Sequence, residues 1–201
     1  MKSLFFVSIV LFFISCQSPK AQYESSVKLQ QLVNSCQQCH SQGQKLLAPS
    51  LNGLEAWYLE EQLLKFQQGI RGGDSASQSS QTMHKAANML NPEQIDFLAK
   101  WYASQTPVPT GMSIHGDAEK GHALYKQNCS GCHDGGPGKF FTGSPSLKNL
   151  PDWYIVRQVK DFQEGKRGSH PKDEKGLKMA QRIQGLDNQQ LDDIATFLHR
   201  K

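Results

Sequence analysis

The chain has 201 residues, of which 37% are hydrophobic and 20% are charged. This balance is typical of a soluble globular protein and excludes a disordered or membrane-embedded chain. The net charge of +4 is small, and Lys and Arg are scattered rather than clustered, so no nucleic-acid partner is predicted. The length allows one large domain or two small ones.

The first fifteen residues have the layout of an export signal. Lys2 precedes a mostly apolar run over residues 4–14, and polar residues follow Cys16. The run is too short to span a bilayer as a helix, and a buried helix is disfavoured because the run has no polar face. Residues 13–16, Phe-Ile-Ser-Cys, resemble a bacterial lipoprotein cleavage box. We therefore expect removal of residues 1–15, a lipid on Cys16 and a membrane-anchored periplasmic protein; ordinary cleavage nearby, leaving a soluble periplasmic protein, is the alternative.

The other four cysteines form two Cys-x-x-Cys-His motifs, at residues 36–40 and 129–133. An exported chain normally pairs its cysteines as disulfides, but this pentapeptide is typical of covalent c-type haem attachment. Two thiols a few residues apart can each form a thioether to one porphyrin edge, and the adjacent His is then delivered beneath the iron. A redox dithiol needs no such His, and a zinc site needs four ligands gathered together. We therefore predict two covalent haem c groups, held by Cys36, Cys39, Cys129 and Cys132.

The two halves of the chain also repeat each other beyond these motifs, at a spacing of 96 residues. The motifs themselves differ by 93, so the second half has three extra residues, which the glycine-rich stretch 135–143 is expected to absorb as a loop. The repeat predicts domains at 24–104 and 117–201, joined by a proline-stiffened linker, 105–116. Domains this small are marginal on a protein core alone, so each haem is expected to be structural as well as functional. Matching pairs include Trp57 and Trp153, Gln62 and Gln158, Phe66 and Phe162, and Leu90 and Leu186.

Apolar periodicity predicts an all-α fold without strands. Helices are predicted before the haem motifs, at 27–35 and 118–127, and in the middle of each domain, at about 56–68 and 152–163. The last helix of domain one is predicted to start at Asn91-Pro92, an N-cap followed by proline at the first helical position. Its counterpart in domain two is predicted to be capped by Asp187.

Each iron needs two axial ligands from the protein, and His40 and His133 are the predicted proximal ones. After its motif the second domain contains a single methionine, Met179, and the 96-residue spacing selects Met83 as its equivalent. Core filling is the ordinary role of a methionine, but two at one repeat-equivalent position indicate ligation. The methionines that this spacing rejects are Met89 and Met112.

Histidine is the alternative for the second axial position. His84 adjoins Met83, but its repeat equivalent is Ala180. A His/Met pair favours ferrous iron and raises the potential relative to two imidazoles. With both positions filled, neither iron has a vacancy for oxygen or peroxide, so electron transfer is predicted and no catalytic residue is. The remaining histidines, expected at the solvated surface, are His115, His122, His170 and His199.

The order of these features resembles a known family. Each motif is followed by Pro-Ser-Leu, then a helix reading Trp-Tyr…Gln…Phe-Gln-x-Gly-x-Arg, then a Met with Leu seven residues later. From about residue 25 to the end, this resembles the dihaem class I cytochromes c of the cytochrome c-four type. The resemblance implies two tandem helical class I cytochrome c domains, each wrapped around one haem, with the haems facing each other across the domain interface. It also implies a periplasmic or membrane-attached carrier that feeds a terminal oxidase.

The resemblance also assigns roles around each haem. The carbonyls of Pro49 and Pro145 would accept the ring N–H of the ligand histidines and fix their orientation. For the two arginines of the repeat, an exposed Arg ending a helix is the alternative to a haem contact. The candidates to hydrogen-bond the haem propionates are Tyr58, Tyr154, Arg71 and Arg167.

Two features depart from the family pattern. Domain two has Gly121 and Tyr125 in its first helix, the close-packing pair that such domains use against the last helix, whereas domain one has Lys28 and Leu32 at those places. Its helix contact is therefore expected to be built differently. Residues 51–54 also lack the Gln often found after the Gly, which leaves the neighbouring haem contact open.

The function predicted from the sequence is a dihaem electron carrier of a respiratory chain. Its donor would be a quinol-oxidising complex or a dehydrogenase, and its acceptor a terminal oxidase or reductase. The alternative is a haem-bearing subunit of a dehydrogenase or reductase complex, in which the chemistry happens in another chain. A dihaem peroxidase is disfavoured, because it needs one iron with an open or releasable axial position.

Overall fold

The computed structural model describes the backbone of residues 19–201 and the side chains of residues 27–201. The expected export signal and Cys16 lie outside the described residues. Within residues 19–201 the fold is all-α and contains no β-strand, as predicted; an isolated bridge joins Gly43 and Ala48. No helix in this part of the chain is both long and apolar enough to cross a membrane.

The helices follow the order of the internal repeat. Those of the first half are α1 (Pro19–His40), α2 (Ala56–Gln67), α3 (Gln78–Ala87) and α4 (Pro92–Ser104), with a 3-10 turn at Gln44–Leu46. Those of the second half are α5 (Ala118–Asn128), α6 (Ser130–His133), α7 (Gly136–Thr142), α8 (Asp152–Gln163), α9 (Glu174–Ile183) and α10 (Asn188–Arg200).

The last helix of each domain starts at its predicted N-cap, and each start also forms a capping box, which was not predicted. The Asn91 side chain accepts a hydrogen bond from the Gln94 N–H at 2.9 Å, and the Gln94 side chain accepts one from the Asn91 N–H at 2.9 Å. Asp187 and Gln190 make the same reciprocal pair at the start of α10. Each box satisfies two helix N–H groups that would otherwise lack partners, so α4 and α10 begin at equivalent points of the repeat.

The core of domain two depends on close approach of its first and last helices. A Cβ at Gly121 would lie 2.0 Å from the Asp193 carbonyl oxygen, so α5 and α10 meet backbone to backbone there. In domain one Lys28 is exposed, and α1 instead buries Val33 completely against α2 and α4. The expected difference between the two helix contacts is therefore present. The buried partners of Val33 are Leu54, Leu59, Leu98, Ala99 and Tyr102.

Three of the helices, α3, α7 and α9, differ from the sequence prediction. The stretch 135–143, expected to be a loop, contains α7, whose Lys139 forms an ion pair with Glu55 of domain one at 2.5 Å. Local sequence patterns do not predict a contact with a residue of the other domain. Helices α3 and α9 were not predicted, because each has only ten residues and a mostly polar sequence, although the few apolar residues of α9 do lie on one face.

The segment between the domains has no regular secondary structure, but it is fixed to domain two. The fully buried Asp152 accepts hydrogen bonds from the N–H groups of Ser113 (2.6 Å) and Ile114 (2.8 Å). The Gly116 N–H donates to the Thr196 hydroxyl at 2.8 Å. The linker therefore acts as a packed strap rather than a free spacer.

Candidate functional site

A large cleft in domain two brings together side chains that are far apart in the sequence. Cys129, Cys132, His133 and Met179 all line it. A cleft that gathers two thiols, an imidazole and a thioether around one apolar space suits a covalently attached macrocycle. Most of the lining is apolar and comes from α8, α9 and α10 and the loop before α8; it includes Leu147, Leu150, Ile155, Phe162, Ile183 and Leu191.

The histidine of each motif is held by a proline carbonyl. His133 Nδ1 lies 2.7 Å from the Pro145 carbonyl oxygen, and His40 Nδ1 lies 2.7 Å from that of Pro49. These are the hydrogen bonds that the family resemblance implied. Burial lowers the pKa of both imidazoles, and the carbonyls oppose this shift only in part. Both rings are therefore neutral at pH 7, with Nε2 left to bind a metal.

In domain one the corresponding groups flank the apolar core. Cys36 is half-buried and packs against the cluster around Val33, while Cys39 is exposed. Met83 lies on α3 and is half-buried. Both ring nitrogens of the neighbouring His84 already have hydrogen-bond partners: Nδ1 bonds the Phe66 carbonyl, and Nε2 lies 3.2 Å from the Asn88 amide nitrogen. These contacts favour Met83 over His84 as the second ligand.

Of the other histidines, His115 and His122 are exposed, as expected, whereas His170 and His199 are half-buried.

Two glutamines fix the helices that carry the methionines. The Gln163 amide donates to the carbonyls of Ile183 (2.9 Å) and Leu186 (2.8 Å), at the end of α9. Gln67 makes the same pair of bonds to Ala87 and Leu90, at the end of α3. They are the second glutamines of the repeated Trp-Tyr…Gln…Phe-Gln-x-Gly-x-Arg pattern, and the pattern alone indicates no role for them. Their equivalent bonds place Met83 and Met179 on equivalent helices.

The internal repeat is also visible at the domain interface, where Arg71 of domain one forms hydrogen bonds with residues of both domains. Its guanidinium donates to Gln62 (2.7 Å) on its own side, and to Tyr154 (3.0 Å) and Gln158 (2.8 Å) on the other. Arg71 is only 6% exposed, so the alternative of an exposed helix-ending arginine is wrong for this residue.

Arg167 mirrors this arrangement from domain two. It donates to Gln158 (2.7 Å) on its own side, and to Tyr58 (3.2 Å) and Gln62 (3.2 Å) across the interface. It is half-buried, so the exposed alternative is wrong here too. The four residues proposed to contact haem propionates thus form one hydrogen-bonded network between α2 and α8, joined by Gln62 and Gln158.

This network holds two positive charges whose bonded partners are all neutral. Among the described residues, neither Arg71 nor Arg167 forms an ion pair, and the buried Nε of Arg71 has no hydrogen-bond partner. Burial would raise the pKa of Tyr58, but the charges of Arg167 and Arg71 outweigh it and the pKa is lowered. A buried cation normally requires an anion, and the buried Asp161 and Asp173 beside the network bond other side chains instead of the arginines. The ionised propionates of two haems fit this requirement.

A second set of contacts across the interface is asymmetric. Lys65 of domain one bonds Asp173 of domain two at 2.8 Å, and Asp173 is 4% exposed. At the repeat-equivalent positions stand Asp161 and Ser77, whose side chains are 3.5 Å apart. The two domains therefore share a symmetric arginine network but differ in the charges beside it.

Comparison with known proteins agrees with this geometry. The family model for cytochrome c matches the chain twice, at residues 27–106 and 118–200. The chain belongs to the cytochrome c family. As a protein of two tandem cytochrome c domains, it carries two covalently bound haem c groups, as the motifs predicted, and is an electron-transfer cytochrome.

Proteins similar to this chain include cytochromes c4, one of which is a solved structure. A cytochrome c4 from Thiocapsa roseopersicina is 29% identical over 149 residues, which cover 68% of this chain and 73% of that protein. The cytochrome c4 structure from Acidithiobacillus ferrooxidans has a TM-score of 0.62 and 25% identity, and covers 83% of this chain and 98% of that one. The resemblance stated from the motifs is therefore confirmed.

The same fold also occurs inside a larger enzyme. The thiosulfate dehydrogenase TsdBA from Marichromatium purpuratum matches with a TM-score of 0.62 and 24% identity. The match covers 83% of this chain but only 36% of the dehydrogenase chain. The match therefore shows a shared fold and nothing about a shared activity.

Proposed function

We propose that this cytochrome is a two-haem electron carrier of a respiratory chain, with both irons held by a His/Met pair. The observation that carries the proposal is the convergence of Cys129, Cys132, His133 and Met179 on one apolar cleft. Each of these residues has an equivalent in domain one, namely Cys36, Cys39, His40 and Met83.

The protein's own groups would hold each haem from three sides. The two cysteines of each motif would bind it as thioethers, which fixes its edge to the end of α1 or to α6. The proline carbonyl orients the imidazole and leaves Nε2 available to bind the iron. The methionine would supply the second ligand, so that water or an external ligand would find no open site. When bound, haem c carries one electron by cycling its iron between the ferrous and ferric states.

The interface network supports transfer between the two sites within one chain. Tyr58, Tyr154, Arg71 and Arg167 meet there, and we propose that they bind the haem propionates. The guanidinium groups would neutralise the propionates, and the buried surroundings of Arg71 would exclude water from that contact. A dry, fixed arrangement reorganises little when an electron moves, which favours fast transfer between the haems.

The spectroscopic redox titration of the purified protein tests this function. We expect two covalent haems, two one-electron steps and no binding of carbon monoxide to the ferrous wild type, because both irons are six-coordinate. Carbon monoxide binding to half of the haem would reveal an open iron and favour a peroxidase. Such a result would overturn the assignment as a carrier.

The partners are proposed from the same role. The donor would be a quinol-oxidising complex or a dehydrogenase, and the acceptor a terminal oxidase or reductase. Co-purification from native membranes separates a free carrier from a fixed subunit. A carrier should be recovered mostly alone, whereas recovery in a constant ratio with one dehydrogenase or reductase chain would favour the subunit alternative.

We further propose that the mature protein is periplasmic and anchored by a lipid on Cys16. Support comes from the basic start, the short apolar run and the cysteine at its end. The wild type should then partition with membranes, and Cys16→Ala should release or mislocalise it. A wild type that is wholly soluble and starts downstream of Cys16 would contradict the anchor.

A further inference from the structure

Glu55 of domain one contacts the segment of domain two that holds His133. Its Oε2 accepts a hydrogen bond from the Ser146 N–H at 2.7 Å, and its Oε1 pairs with Lys139 of α7 at 2.5 Å. The side chain of Glu55 is 30% exposed and that of Lys139 is 24% exposed. The contact is therefore a sheltered one between the domains, rather than a solvated surface pair.

The bonded N–H belongs to the peptide group that also holds His133. The peptide unit between Pro145 and Ser146 has its carbonyl oxygen 2.7 Å from His133 Nδ1 and its N–H donated to Glu55. A peptide whose N–H faces a carboxylate is polarised, so its carbonyl oxygen becomes a stronger acceptor. A stronger acceptor on Nδ1–H raises the basicity of the imidazole as a metal ligand.

Glu55 is charged at neutral pH. Burial alone would raise its pKa, but the hydrogen bonds from Lys139 and from the Ser146 N–H hold the pKa below its usual range. The acceptor facing the peptide is therefore a carboxylate, whose hydrogen bonds are roughly twice as strong as those of a neutral oxygen.

Domain one has no matching arrangement. The repeat equivalent of Glu55 is Pro151, which carries no side-chain acceptor for the peptide beside Pro49. Both histidines make the same bond to a proline carbonyl. Only the carbonyl facing His133 belongs to a peptide bonded to a carboxylate of the other domain.

We propose that Glu55 is a positioning residue that tunes the haem of domain two, acting through the Pro145–Ser146 peptide on the ligand His133. This proposal rests on the proposed axial role of His133. A more basic imidazole stabilises ferric iron, so Glu55 lowers the potential of that haem and leaves the haem of domain one unaffected. Contact between the domains would then set the driving force for transfer between the haems.

The test uses the full holoprotein and two measurements on Glu55→Gln, which keeps an oxygen acceptor but removes the charge. At a fixed ambient potential, the ferrous-to-ferric ratio of the second haem should rise at least about threefold, where tenfold corresponds to 59 mV for a one-electron couple. The ratio of the first haem should not change. In nuclear magnetic resonance of the ferric protein, the ring N–H signal of His133 should shift, and that of His40 should stay.

A matched control is Glu61→Gln. Glu61 is an α2 carboxylate that, like Glu55, pairs with a lysine of domain two, Lys175 at 2.8 Å, and it lines the haem cleft. It has no hydrogen bond to the peptide beside Pro145, so the His133 signal should stay in place. Lys139→Met is a second variant with the opposite expected effect. It leaves the Glu55 charge uncompensated, so the ferrous-to-ferric ratio of the second haem should fall.

The outcomes are distinct. If Glu55→Gln moves neither the second potential nor the His133 signal, Glu55 is only an interdomain contact and the proposal is wrong. If Glu55→Gln and Glu61→Gln shift the potential equally without moving the His133 signal, a general charge effect replaces the peptide route. A wild type that lacks a shifted His133 ring signal altogether would instead overturn the proposed ligation.

Discussion

Replacing Gly121 with alanine should weaken domain two through the contact between α5 and α10. The added Cβ would lie 2.0 Å from the Asp193 carbonyl oxygen and 2.4 Å from its carbon, where ordinary contact begins at 3.4 Å. Both of these atoms belong to the backbone of α10, so a change of side-chain rotamer cannot relieve the clash. The helices must therefore separate by more than an ångström at this point, which opens gaps around the buried Tyr125 and Thr196.

The expected cost follows from two opposing effects. Overpacking a core costs about 1–3 kcal/mol, whereas alanine gains about 1 kcal/mol over glycine in a helix interior. Because the clash is with backbone, we expect a net loss of about 1–2 kcal/mol. The displaced α5 leads directly into Cys129, so the loss should appear in domain two first.

Denaturant unfolding of the holoprotein, followed at the haem absorbance and by far-UV circular dichroism, measures this loss. Gly185→Ala is the control, because a Cβ there meets nothing within 4 Å; it should be neutral or slightly stabilising. If Gly121→Ala is as stable as Gly185→Ala, the backbone contact between α5 and α10 does not exist as described.

Three further predictions concern polar side chains that hold parts of the fold together. Arg71→Gln should lower the free energy of unfolding by about 1.5–3 kcal/mol, whereas the control Arg200→Gln, at an exposed residue, should hardly change it. Equal losses for the two variants in urea unfolding would contradict the network. Burial would raise the pKa of Asp152, but hydrogen bonds from the linker outweigh it and lower the pKa, so the wild type should lose stability as pH falls below about 4. Asp152→Asn should lack that loss in acid unfolding curves, and an unchanged curve would refute the assignment. Gln163→Ala frees the end of α9, so the sulfur–iron absorption of Met179 should disappear at a lower temperature; an unchanged midpoint would count against this role.

The sequence predicted what repeats within each domain. The haem motifs, the 96-residue spacing and the two capped last helices all follow from local residue types, and the structure has them. Methionine ligation was inferred from the repeat because one spacing matched Met83 with Met179. These features depend on short stretches of chain, which is why they can be read without knowing how the domains meet.

Much of what the sequence did not predict lies between the domains. The bonds from Arg71 to Tyr154 and Gln158 join residues more than 80 positions apart, and nothing in helical periodicity specifies such a pairing. The short helix α7 was missed for a related reason, because its Gly-Pro-Gly start favours a turn while Glu55 holds it from the other domain. Both features, the Arg71 bonds and helix α7, depend on how the two domains pack against each other.

The most direct test of the central claim is the weak long-wavelength absorption of a sulfur–iron bond in the ferric protein. The wild type should show it with an intensity appropriate to two sites, and Met83→Ala and Met179→Ala should each remove about half. Met89→Leu and Met112→Leu should leave it intact. A wild type without this band, or a band lost in Met89→Leu and kept in Met83→Ala, would contradict the His/Met assignment.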